Sequence, residues 1–140
     1  MKDCLFCKIF REEVPSYTVY KDEATRAFLD VYPSAPGHSM VIHRNHGATI
    51  LDYGEGELKE LMSTVKKIAH GLETAFDTNI LTIGINHGEP SGVSHLHIHL
   101  IPRYEHDGGG VIQSLITKKG EESLEEIREK VKEKMGNTAE

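Results

Sequence analysis

The stretch His95-Leu96-His97-Ile98-His99-Leu100 constrains the fold more than any other part of the chain. Strict alternation is the period of a β-strand. It places the three imidazoles on one face and Leu96, Ile98 and Leu100 on the other. The apolar face must be covered by another element, because an exposed stripe of leucine and isoleucine is not a stable surface. The imidazoles then line the opposite face, with Cβ atoms about 6.5–7 Å apart at 3.3 Å per residue. Imidazole changes its proton near neutral pH, and its neutral nitrogen is both a nucleophile and a metal ligand. One zinc ion on all three would be strained, since ligand nitrogens on a tetrahedral zinc lie only about 3.3 Å apart.

The cover is the strongest helix in the pattern, residues 56–76. Leu58, Leu61, Met62, Val65, Ile68, Ala69, Leu72 and Phe76 recur there at helical spacing. Residues 4–11 read as one or two helical turns. Strands are expected at 17–20, 24–30, 38–42, 80–86 and 95–101, with turns at Lys21-Asp22-Glu23 and Pro33-Ser34-Ala35-Pro36-Gly37. A last helix spans about 123–135, opened by a Ser123/Glu126 capping box. Its narrow stripe of Leu124, Ile127, Val131 and Met135 is expected to dock on the domain or on a partner subunit. One long helix between strands, without regular β-α-β alternation, defines an α+β fold with a mainly antiparallel sheet of about five strands.

The chain has 140 residues, which fits one domain (1–140), with a core at about 4–103 and a C-terminal extension at 104–140. Sixteen Lys+Arg against 22 Asp+Glu give a net charge of −6. That balance argues against duplex nucleic acid as a partner, because such binding needs a basic footprint. A small phosphorylated ligand remains compatible with it. No apolar run approaches the roughly 20 residues of a membrane helix. The start, Met1-Lys2-Asp3-Cys4, has no signal-peptide core, so a cytoplasmic location is expected. Both cysteines stand in Cys4-Leu5-Phe6-Cys7, a spacing that serves metal binding or redox chemistry in a reducing compartment. A thioredoxin-like redox pair would follow a strand, and this motif precedes every strand.

His95-x-His97-x-His99, followed by Pro102-Arg103, resembles the signature of the histidine triad (HIT) family of nucleotide hydrolases and transferases. Cys4-Leu5-Phe6-Cys7-Lys8-Ile9 is similar to the opening of its zinc-binding members. Phe28-Leu29-Asp30 is similar to its nucleoside segment, and Ala35-Pro36-Gly37-His38-Ser39-Met40-Val41-Ile42 with His46 to its Pro-Gly-His stretch. The resemblance spans Cys4 to Arg103.

It implies a HIT-like fold, a homodimer joined through the long helix and a sheet edge, and a purine nucleotide as substrate. His97 matches the nucleophile that attacks the α-phosphorus to form a nucleotidyl-imidazole, which water then hydrolyses. His99 matches the phosphate-binding histidine, and Asn86 a polar residue at the phosphate or leaving group. Asp30 matches the acceptor for ribose hydroxyls, a role suited to a carboxylate. Phe6, Ile9, Phe28 and Val31 are expected to form the slot for the base. Backbone N–H groups of Gly92 and Val93, with a hydroxyl from Ser91 or Ser94, are expected to face the phosphoryl oxygens. Cys4, Cys7, His46 and His95 are expected to close a structural zinc site, which spares His97 and His99 for chemistry. His38 is expected to be a buried hydrogen-bonding residue.

The chain departs from the family where a Gly-Gln-Ser/Thr-Val-x-His run is usual. It reads Glu89-Pro90-Ser91-Gly92-Val93-Ser94-His95, without the Gln and with an added negative charge. At His43 the family usually has proline. The leading expectation is a hydrolase of nucleoside 5'-phosphoramidates. A dinucleoside polyphosphate hydrolase, a largely non-catalytic nucleotide-binding protein and a metallohydrolase with its ion on the triad are the alternatives.

Overall fold

A computed structural model describes residues 3–88 and 92–136. Contacts divide the chain into two units, 1–109 and 110–140. The first holds a five-stranded sheet, β1 (Thr18–Lys21), β2 (Thr25–Leu29), β3 (Ser39–His43), β4 (Leu81–Gly84) and β5 (His97–Pro102), in the order β1-β2-β3-β5-β4. Every neighbouring pair is antiparallel. The α+β architecture expected from the sequence is the one observed.

Two helices flank the sheet. The long one, α2 (Glu55–Phe76), is opened by Glu57, whose carboxylate accepts from the Gly54 N–H at 2.8 Å and lies at the positive end of the helix dipole. It ends where Asp77 turns left-handed, with φ +48°. Its Leu61, Val65, Ile68 and Leu72 pack with Leu96, Ile98 and Leu100, as the alternation of the histidine segment requires. Met62 and Phe76, although in register, remain 55% and 37% exposed, so the apolar stripe is wider than the sheet covers. Thr64, inside the buried face, shares a 2.6 Å hydrogen bond with Thr25 of β2.

The short helix, α1 (Leu5–Phe10), lies on the other face of the sheet, where Phe6 and Ile9 pack with Phe28, Met40 and Ile42. The central strand β3 is therefore buried along its whole length, with Val41 toward α2 and Met40 and Ile42 toward α1.

β5 begins two residues later than the alternation predicts. His95 precedes the strand, and His95 and Leu96 are both buried, so the in-out rhythm holds only from His97 onward. The Leu96 N–H donates to the Gly47 carbonyl instead of continuing the ladder.

The second unit carries α3 (Leu124–Met135), with Ser123 accepting from the Glu126 N–H at 3.2 Å. None of its residues is buried, and Leu124 is 84% exposed. Among the described residues, no helix is long and apolar enough to cross a membrane.

Candidate active site and metal cluster

On the α1 side of the sheet a cleft of about 560 Å³ opens. Leu5, Phe6 and Ile9 form one wall; Phe28, Asp30 and Val31, at the end of β2, form another. Met40 lies at its base, and Asn86, Gly92 and Val93 border the end where His97 and His99 stand. The lining is mostly apolar with a few converging polar groups, as in small-molecule sites generally. Phe6 is the hinge of the arrangement. Its ring meets Phe28 edge-on at 5.4 Å and His97 at 5.0 Å between centroids.

Hydrogen bonds assign a role to each imidazole nitrogen. His97 Nδ1 lies 2.7 Å from the His95 carbonyl, which can only accept, so Nδ1 carries the proton and the lone pair sits on Nε2. That is the tautomer a nucleophile needs. The His99 assignment runs through His38. The Ser34 N–H donates to His38 Nδ1 at 3.0 Å, so neutral His38 is protonated on Nε2, which lies 2.9 Å from His99 Nδ1. His99 Nδ1 accepts, and its own proton is left on Nε2. Burial, reinforced by His97 and His38 nearby, pushes the His99 pKa down to about 4, so the relay is neutral at physiological pH. Burial also lowers His38, against the opposing pull of Asp30 3.6 Å away. Gly37 sets the entry into β3 that places His38. Its φ is +90°, and a Cβ there would meet the Phe76 ring at 2.6 Å, so no other residue fits without displacement.

The four expected metal ligands come together. One ligand atom from each of Cys4, Cys7, His46 and His95 lies within 4.8 Å of the others. His95 Nδ1 is 3.4 Å from both thiols, and His46 Nδ1 is 3.5 Å from Cys7 Sγ. Bonds of about 2.3 Å to sulfur and 2.0–2.1 Å to nitrogen around a tetrahedral ion separate S and N by about 3.6 Å, so the donor set fits. The tautomer fits as well: His95 Nε2 donates to the His43 carbonyl at 2.9 Å, leaving the Nδ1 lone pair toward the sulfurs. Burial, with Cys4 beside it, pushes the Cys7 thiol up, and burial lowers His95 to about 4.

A second cluster, Asp30, His38 and His99, has equally close atoms. There the Ser34 N–H occupies the His38 nitrogen opposite the cluster, so metal on Nε2 would leave no place for the imidazole proton. That chemistry suits a hydrogen-bond relay better than a metal, and it weighs against a metallohydrolase centred on the triad.

The structure thus brings Phe6, Ile9, Phe28, Asp30, Val31, Asn86, Gly92, Val93, His97 and His99 to one cleft. Ser94 is exposed and lines a smaller adjoining hollow with Thr49 and Gly88, which shares Asn86, Val93 and His97 with the cleft. Ser91 and Glu89 lie outside the described residues. Sequence reasoning left Met40 unassigned, although it alternates with Val41 toward the cleft face. It read His38 as structural only. The signal for more was its place between Gly37 and the strand that follows; the pairing that brings it to His99 is visible only in the fold.

Residues 11–106 match the HIT domain family. An adenosine 5'-monophosphoramidase of Saccharomyces cerevisiae is 36% identical over 112 residues, 78% of this chain and 68% of that protein. A HIT family structure from Bacillus subtilis superposes with a TM-score of 0.84 at 31% identity, covering 99% of both chains. A zinc-bound histidine triad family protein from Mycobacterium smegmatis gives 0.70 at 28% identity, over 76% of this chain and 78% of that one. The chain belongs to the HIT family. It is a nucleotide hydrolase of that family.

Proposed function

We propose that the chain hydrolyses nucleoside 5'-phosphoramidates, or closely related nucleotidyl compounds, through a nucleotidyl-His97 intermediate. The observation that carries this reading is the His97 tautomer: Nδ1–H is spent on the His95 carbonyl, which leaves the lone pair on Nε2, and His97 lines the cleft with Asp30 and Asn86. In the first step Nε2 attacks the α-phosphorus, the P–N bond to the leaving group breaks, and the departing amine takes up a proton from solvent. In the second, water attacks phosphorus and gives a proton to solvent, the P–Nε2 bond breaks, and the nucleoside monophosphate leaves with His97 restored.

Charge develops on the phosphoryl oxygens in both steps, and donors already aimed at them supply the larger part of such catalysis. His99 Nε2–H, held by His38, is one donor. Asn86, the N–H groups of Gly92 and Val93, and a hydroxyl from Ser94 or Ser91 are the others. Asp30 Oδ1 already accepts from the Tyr32 N–H at 2.9 Å, which orients the carboxylate for ribose hydroxyls. Phe6, Ile9, Phe28 and Val31 take a purine base. A zinc ion on Cys4, Cys7, His46 and His95 supplies a structural tether, and His95 in turn orients His97 through its carbonyl.

We further place a single HIT domain at about 4–103 with an extension beyond, and a homodimer through α2 and the β4 edge. Met62 and Ile83, 55% and 38% exposed on those elements, support the second point. Sedimentation of a concentration-independent monomer would refute the dimer.

The test of the activity is intact-protein mass after rapid quenching with adenosine 5'-phosphoramidate, for wild type and His97→Ala. A nucleotidyl adduct in the wild type alone is expected. Neither adduct nor AMP would leave a nucleotide-binding protein, and turnover confined to dinucleoside polyphosphates would replace the substrate.

A further inference from the structure

Helix α1 is six residues long and serves two sites at once. Cys7 and the N-cap Cys4 direct their thiols toward His95, while Leu5, Phe6 and Ile9, interleaved with them, form a wall of the cleft. Fewer than two turns of helix have no stability of their own, so the wall stands only where the rest of the protein holds it.

Its two ends are held differently. At the C-terminal end the buried Arg26 guanidinium donates to the Ile9 carbonyl through Nη1 and to the Glu12 carboxylate through Nη2 at 2.8 Å. Glu12 itself adopts φ +64°, a conformation non-glycine residues rarely take. This clamp owes nothing to a metal. At the N-terminal end the chain is attached by the packing of Phe6 on Phe28 and through the cysteines. The Cys7 N–H donates to Cys4 Sγ at 3.4 Å, and both sulfurs meet His95. Leu5 and Phe6, which face the nucleotide cleft, sit between those two cysteines.

We infer that occupancy of the Cys4–Cys7–His46–His95 cluster by a zinc-class ion sets the nucleotide affinity of the cleft, with α1 as the shared element. The inference rests on the proposed nucleotide reading of the cleft and zinc reading of the cluster. An ion that draws both thiols to His95 and His46 immobilises Leu5 and Phe6 against Phe28, and the base enters a wall already ordered. Without it, binding must order the first turn of α1 itself, at a cost in affinity. Linkage makes the effect reciprocal: nucleotide must retain the ion by the same factor by which the ion favours nucleotide. Couplings of this kind run from about fivefold to 150-fold, and one loosened turn places this case near tenfold.

The test has two arms on the full chain. In the first, AMP is titrated calorimetrically into zinc-loaded and chelator-stripped protein. In the second, loaded protein is brought to equilibrium with a chromophoric chelator of comparable zinc affinity, and the zinc retained is measured with and without saturating AMP. The second arm starts from folded, loaded protein and stays informative if the stripped chain unfolds. AMP is expected to bind about tenfold more weakly to stripped protein and to raise the affinity for zinc by the same factor. Arg26→Leu, which touches neither ion nor nucleotide, removes the metal-independent clamp and is expected to enlarge both factors. Zinc and AMP each binding with affinities independent within twofold, in wild type and Arg26→Leu, would overturn the inference. Failure to take up zinc refutes the cluster reading, and uptake of zinc without any AMP binding refutes the cleft reading, so the three failures are told apart.

Discussion

Removing His38 tests the relay most directly. In the structure its Nε2–H occupies His99 Nδ1 at 2.9 Å and thereby keeps the His99 proton on Nε2, facing the cleft. In His38→Ala that constraint is gone. Asp30, His38 and His99 have ligand atoms within 4.8 Å of one another, so with His38 gone the Asp30 carboxylate is expected to draw the proton to Nδ1. A hydrogen bond to a charged group contributes about 1.5–3 kcal/mol, a bias of about 10- to 150-fold toward the tautomer that turns a lone pair on the phosphate. The phosphoramidate kcat at pH 7 is expected to fall by that factor. His99→Ala removes the donor outright, at about 2.7–4 kcal/mol, or 10²- to 10³-fold. Since His38 acts through His99, adding His38→Ala to His99→Ala is expected to cost nothing more. Steady-state kinetics on the four proteins, with ¹⁵N shifts of His99 reporting its tautomer in wild type and His38→Ala, complete the cycle. Losses that multiply would refute the relay and make His38 an independent contributor.

Four shorter expectations accompany this one. His97→Ala is expected to abolish turnover while AMP affinity stays within a few fold, by calorimetry; surviving turnover would move the nucleophile elsewhere. Gly37→Ala forces a side chain into φ +90° against Phe76, which at about 1–3 kcal/mol lowers the melting temperature by roughly 4–12 °C. A change below about 2 °C by calorimetry would mean the turn relaxes freely. In metal-free protein His95 and His99 have folded pKa values near 4, below the ordinary 6.5, so the unfolded chain binds protons first. Stability is then full above about 6.5 and falls as pH drops toward 4, and a urea midpoint unchanged between pH 7 and 4.5 would contradict it. The buried Cys7 thiol, raised by burial and by Cys4, must lose its proton to bind zinc. Zinc affinity measured by chelator competition is therefore expected to climb with pH from 6 to 8, and a flat profile would remove the thiolates from the site.

Local pattern was enough for the skeleton and insufficient for its edges. The helix from Glu55 to Phe76 is legible because its period persists for 22 residues and one face is nearly continuous. The sheet face of Ile98 and Leu100 is legible because alternation admits one reading. Where tertiary partners overrode the period, prediction failed. His95 keeps the alternation in sequence, yet its ring is drawn to Cys4 and Cys7 and its carbonyl to His97, which takes it out of the strand. Thr64 reads as a polar interruption of an apolar face until Thr25, 39 residues away, supplies its hydroxyl partner.

The site shows the same division at the level of single atoms. Residue types and spacing single out His95, His97 and His99, but all three carry the same side chain, and spacing cannot say which is ligand, nucleophile or donor. The roles proposed for them follow from what the other ring nitrogen meets. His95 gives its Nε2–H to the His43 carbonyl, so Nδ1 faces the thiols. His97 gives its Nδ1–H to the His95 carbonyl, so Nε2 carries the lone pair. His99 receives at Nδ1 from His38, so Nε2 carries the proton. Two of those partners are backbone carbonyls, which every sequence has, and the third sits 61 residues away, just before a strand whose pairing only the fold reveals. Three identical imidazoles thus acquire three different chemistries from a carbonyl on β3, a carbonyl beside β5 and one histidine held by the turn at Gly37.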